Sequence, residues 1–143
     1  ELIEFRPLRF GYDQLFVNSK RDDEWNPYKS LILEPAALKD ISSLQGVLCA
    51  AMICLKSDTD SVAVESPFFP KTAGNVTFFS GDALVNFNAL MGSGEQRYLM
   101  LVYTHPTAIY YLEEKDPKTH HLKSLGYVFG DRLNDKLNPI VYR

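Results

Sequence analysis

Hydrophobic positions near the start of the chain come in short alternating runs. Residues 2–10 (LIEFRPLRF) alternate apolar and polar side chains, the period-2 pattern of a strand, and Pro7 directs that strand to an edge or a bend. Gly11-Tyr12-Asp13 reads as a turn and residues 13–18 as a second short strand, so the two predict a hairpin. Residues 19–29 form a charged loop that carries Trp25 and Tyr28, and residues 30–34 (SLILE) read as another strand.

The pattern then changes period. Leu38, Ile41, Leu44, Val47, Leu48, Ala51, Ile53, Cys54 and Leu55 recur at helical spacing, and Pro35 suits a first helical turn, where its missing N–H costs nothing. Lys39, Asp40, Ser42, Ser43 and Gln45 supply a wet face, but beyond Gly46 the segment is apolar all round. A helix of that kind is buried on several sides. The spacing thus predicts one long buried helix over about 36–56 at the centre of the core.

Alternation returns in residues 61–66 (SVAVES) and 76–80 (VTFFS), separated by a Pro- and Gly-bearing loop that holds Phe68 and Phe69. Ser80 or Asp82 can cap a shorter second helix over about 82–91, with Leu84, Val85, Phe87, Leu90 and Met91 on its apolar face and Gly92 and Gly94 stopping it. Residues 97–104 and 108–114 are strand-like on either side of His-Pro-Thr. With a third strand at 122–130 they predict a C-terminal β-meander, followed by one helical turn at 131–138 and an edge strand at 139–143. Strands and helices do not alternate strictly, which argues against a doubly wound parallel sheet. The expectation is a single α+β domain over residues 1–143: a mainly antiparallel sheet with the long helix packed on one face.

Composition narrows the function classes. The chain has 143 residues and a formal charge of −3, so whole-domain attraction to nucleic acid or to an anionic membrane is not expected. The longest apolar run, residues 47–55, falls short of the ~18 residues of a helical membrane span. The first ten residues lack a basic head followed by an apolar run and do not read as a signal peptide. Placed on a helix, Cys49 and Cys54 would face different sides, too far apart for a disulfide. Two free buried thiols lean toward a reducing, intracellular setting. Asn75-Val76-Thr77 matches the N-glycosylation triplet, which at this length is read as a chance match.

Candidate chemistry is sparse. Every histidine lies in residues 104–123: His105, His120 and His121. The expected meander puts His105 at one end of a hairpin and the other two at the opposite end, so no shared metal site is expected. The carboxylate clusters (Asp22 to Glu24, Asp58 with Asp60, Glu113 with Glu114) fall in loops or at strand ends, where water keeps them ordinary. Neither SGDA nor MGSGEQ fits a phosphate-binding loop, and no cofactor is expected. Aromatic residues stand out instead. Trp25, Tyr28, Phe68 and Phe69 sit in loops, and such rings anchor protein interfaces. The expected function is a non-catalytic protein-interaction or assembly module using those four residues and a sheet edge, with a protein partner or another copy of the chain bound there. One alternative is a small hydrolase or transferase using His105 with a carboxylate or thiol. A second is single-stranded nucleic-acid binding on an aromatic sheet face, with salt-dependent affinity.

Overall fold

The computed structural model describes residues 7–18, 35–57, 68–86, 96–116 and 118–142. Among these residues, seven strands and one α-helical turn follow in chain order: β1 (Leu8–Asn18), β2 (Ala36–Ala37), α1 (Leu38–Ile41), β3 (Leu44–Ser57), β4 (Val76–Ser80), β5 (Leu84–Val85), β6 (Gln96–Tyr110) and β7 (Ile140–Tyr142). Five of them form one antiparallel sheet in the order β4-β3-β6-β1-β7, and β2 pairs with β5 in a small second sheet. The large sheet curls into a half-barrel.

This architecture overturns the α+β expectation. The long helix predicted over 36–56 is mostly β3, a 14-residue strand, and only Leu38–Ile41 make a helical turn. A segment apolar on all sides satisfies a buried helix and a central strand with apolar side chains on both faces equally well. Tertiary pairing decides, because β3 hydrogen-bonds to β6 on one side and to β4 on the other. Gly46 adds a local reason. Its φ of +97° marks a bulge and would break a helix interior.

The second helix, predicted over 82–91, does not start. Asp82 N–H donates to the Ser80 hydroxyl (3.1 Å), Ala83 N–H donates to the Ser80 carbonyl (3.1 Å), and the chain turns into β5. Asp82 caps no helix; its carboxylate meets Lys39 Nζ at 2.7 Å. Residues 87–91 lie outside the described residues, as do the strands expected at 30–34 and 61–66.

The C-terminal meander is also absent. The hairpin expected around His-Pro-Thr is a single 15-residue strand, β6. Thr104 pairs with Val47 and Ile109 with Gln45, so four β6 residues oppose Gly46 alone. The turn signal of His105-Pro106-Thr107 predicts a reversal, but the chain bulges there and keeps its direction. The third strand, expected at 122–130, is a 3-10 turn over His121–Leu125 closed by Gly126 at φ +100°. The N-terminal hairpin is likewise one strand, β1, with a register shift between Phe10 and Tyr12 where a turn was expected. Nor does that strand form an edge at Pro7: β1 lies between β6 and β7, and the sheet's edges are β4 and β7.

These register shifts, three in β3–β6 and one in β1–β6, bend the long strands and close the sheet over its own inner face. Phe16, Ala50, Met52, Cys54, Phe79, Tyr98, Met100 and Val102 are buried on that face. Leu38 and Ile41 of α1 and Val85 of β5 complete this core together with Leu122, Tyr127 and Leu133. The C-terminal segment is strapped down by polar contacts. Arg9, buried in β1, donates from Nε to the Pro106 carbonyl (3.0 Å) and from Nη1 to the Asn138 carbonyl (2.7 Å) and Asp135 (2.8 Å). The Asn138 side-chain amide donates to the Gly11 carbonyl (2.6 Å), and its oxygen accepts from the Tyr127 hydroxyl (2.7 Å).

Candidate interaction surface

Side chains alternate across a strand, so residues between the buried positions of β1, β3, β4 and β6 point to the outer face of the sheet. Register places them in rows. Phe78, Ala51, Leu101 and Asp13 form one row, and Val76, Ile53, Leu99 and Leu15 the next. A third row runs Ser80, Cys49, Tyr103 and Phe10. Apolar side chains therefore cover four neighbouring strands on the face away from the core. Phe78 is 73% exposed, Leu55 47%, and Leu15 and Val76 43% each. Ile53, Leu99, Leu101 and Tyr103 are half-buried. Asp13, Lys56 and Arg97 stand exposed at the margin, so an apolar centre carries a charged rim. Protein interfaces share that layout.

The face ends at β4, whose free edge is unusual. Cys54 N–H reaches the Asn75 carbonyl and Gly81 N–H the Leu48 carbonyl, both at 2.9 Å. Antiparallel bonding alternates, so Thr77 and Phe79 turn their backbone groups toward β3 while Val76 and Phe78 turn theirs outward. No described residue bonds to those outward groups. VTFFS contains no charge, no proline and no bulge, the devices by which exposed edges are usually blunted. The opposite edge has them: β7 is three residues long, follows Pro139 and shifts register between Leu8 and Arg9.

No family model, no curated protein and no solved structure matches this chain. Phe69 is 5% exposed and sets its ring edge against Tyr98, with centroids 5.2 Å apart; Phe68 is half-buried and packs edge-on to Phe79, also at 5.2 Å. The Tyr98 hydroxyl donates to the Pro70 carbonyl (2.8 Å), fixing the same loop. Phe68 and Phe69 thus hold their loop against the core, and of the rings at Phe68, Phe69, Phe78 and Phe79 the one presented to solvent is Phe78. Trp25 and Tyr28 lie outside the described residues. Phe78 could have been found in the sequence. Two adjacent phenylalanines on a strand must face opposite ways, so one of the Phe78-Phe79 pair leaves the core.

His105 sits exposed on the β6 bulge. Its Nδ1 contacts the Thr107 hydroxyl at 2.8 Å and accepts from the Thr107 N–H at 3.2 Å. Among the described residues no carboxylate or thiol is hydrogen-bonded to it. His120 leans on Phe129 with centroids 5.8 Å apart, and His121 begins the 3-10 turn. No group of three His, Cys, Asp or Glu among the described residues is arranged to hold a metal.

A shallow depression of about 260 Å³, counting space open to solvent, lies between β1 and residues 116–122, with Gln14, Asp116, Lys118 and His121 on its walls. Asp116 is committed within it. The carboxylate accepts from the N–H groups of Ser43 (3.0 Å) and Lys118 (2.8 Å), while the nearby Tyr110 hydroxyl donates to the Thr119 carbonyl. These bonds organise the loop after β6 and leave Asp116 engaged.

The thiols are free, on different grounds from the helical ones. On β3 they project to opposite faces, Cys49 to the outer and Cys54 to the inner, about 16 Å apart along the strand. Burial pushes both thiols up from their ordinary value, the direction opposite to nucleophile activation. No helix among the described residues is long and apolar enough to cross a membrane.

Proposed function

We propose that this chain is a non-catalytic protein-interaction or assembly module whose contact surface is the outer face of the β4-β3-β6-β1 sheet. The observation that carries this reading is the continuous apolar face, with Phe78, Leu55, Val76 and Leu15 exposed at 43–73%. Contiguous exposed apolar surface bordered by charge is what interaction sites present. The face is mainly aliphatic, which suits a protein partner better than stacked bases. Trp25 and Tyr28 belong to the proposal on sequence grounds as further contacts, and Phe68 and Phe69 serve it by fixing the loop that leads into β4.

The test is a triple variant, Leu15→Ser with Leu55→Ser and Phe78→Ser. All three side chains are outside the core, so the fold stays and its melting curve changes little. Association measured by light scattering, and recovery of any co-purifying protein, are expected to fall. A second variant joins Trp25→Ala with Phe68→Ala. Should oligomeric state and every bound protein stay the same in both variants, the reading is wrong.

A further inference from the structure

Building on the interaction-module reading, we infer that the β4 edge takes β4 of a second copy of this chain, antiparallel, about a two-fold axis through Thr77. The outward backbone groups decide the register. Val76 and Phe78 each offer one N–H and one carbonyl, and nothing described bonds to them. Next to them the pattern stops. Gly74 N–H turns back to the Cys54 carbonyl (2.8 Å), and the Ser80 carbonyl accepts from Ala83 (3.1 Å). An antiparallel copy can use both outward residues fully in one register only, Val76 opposite Phe78 of the second copy and Phe78 opposite its Val76. Each of these is a pair that exchanges two main-chain hydrogen bonds, which makes four across the axis, with Thr77 facing Thr77.

The side chains agree with this register. Val76 and Phe78 both point to the outer face, so each apolar side chain meets the other kind across the junction, the pairing that stabilises neighbouring strands. No like charges meet, because VTFFS carries none. The two apolar outer faces then join into one surface. Edge pairing of this sort is isologous and closes at two subunits. Four main-chain bonds and two apolar pairs make an interface smaller than the ~800 Å² per partner of a stable dimer, so association depends on concentration.

The experiment uses light scattering over ~1–500 µM with three variants. Wild type is expected to rise from the mass of one chain toward two. Phe78→Pro removes an N–H that points away from β3, so it keeps the melting curve that wild type shows at low concentration and leaves one chain at every concentration. Thr77→Cys places two thiols on facing residues whose Cα atoms are about 4.5 Å apart. Mild oxidation then gives a covalent dimer that wild type, with Cys49 and Cys54 alone, does not give. Leu15→Lys sits on β1, away from the junction, and leaves the dimer intact. A single-chain mass throughout, with Thr77→Cys failing to cross-link, overturns the edge pairing. A dimer that survives Phe78→Pro but is lost in Leu15→Lys also overturns it, while leaving the interaction surface itself standing.

Discussion

Arg9 shows how a single charged residue can hold distant parts of this chain. Its ion pair with Asp135 contributes little, because the Asp135 side chain is 78% exposed and water screens it. The bonds to the Pro106 and Asn138 carbonyls are more costly to lose, since they satisfy main-chain groups around a buried side chain. Arg9→Leu is therefore expected to destabilise the fold by about 3 kcal/mol, and Asp135→Asn by less than about 1 kcal/mol, both read from denaturant midpoints. Ionisation gives a second residue-scale expectation. Burial first, then the neighbouring Cys54, pushes Tyr98 up to about 12, and burial also raises Cys49 and Cys54. Each is raised above its unfolded value, so its neutral form is favoured by folding. The resulting stability is complete below the unfolded values and is lost as pH climbs through the folded ones. Unfolding midpoints should hold steady to about pH 9 and decline from there toward pH 12.

At the scale of elements, β3 carries the sharpest test of the fold. Met52 is fully buried on the inner face and Leu55 is 47% exposed. Met52→Asp should abolish folding and Leu55→Asp should be tolerated, with far-UV circular dichroism and melting as readouts; a helix buried all round would reject both. Gly46→Ala should cost about 1 kcal/mol or more, since a Cβ at φ +97° is strained even where the nearest atom, His105 Cβ, is 3.5 Å away. The sequence made parts of this visible. The strand VTFFS, the loop around Phe68 and Phe69 and the last edge strand all lie where alternation and turn residues put them. What misled was the apolar stretch after Gly46, whose residues fit a helix wheel and a two-sided strand alike. The same ambiguity hid the outer face. In RYLMLVY every position is apolar or aromatic after the arginine, so no polar alternate announced which side was core. His105-Pro106-Thr107 announced a break in the ladder, but not whether the chain would reverse or bulge, which depends on Gly46 some sixty positions earlier.

For the whole molecule, pairing across β4 links folding to concentration. A partner that binds only the folded chain raises its apparent stability by mass action. The melting temperature of wild type is expected to climb with chain concentration, whereas that of Phe78→Pro stays level; calorimetry at several concentrations checks both. The negative net charge of each copy makes added salt favour association slightly, by screening repulsion between subunits.

The Arg9–Asn138 clamp also sets an order of events. Its two ends are separated by 129 positions in the chain, and β1 gains its β7 neighbour only when residues 140–142 are in place. A polypeptide emerging from the ribosome can pair β1, β3 and β6, but β1 lacks its β7 neighbour and Arg9 its carbonyl partner at Asn138 until that segment has been made. Docking of the C-terminal segment on β1 is therefore a late event governed by long-range search, the regime in which folding takes milliseconds to seconds, and a nascent chain stalled before Asn138 should stay open to protease at the β1 margin.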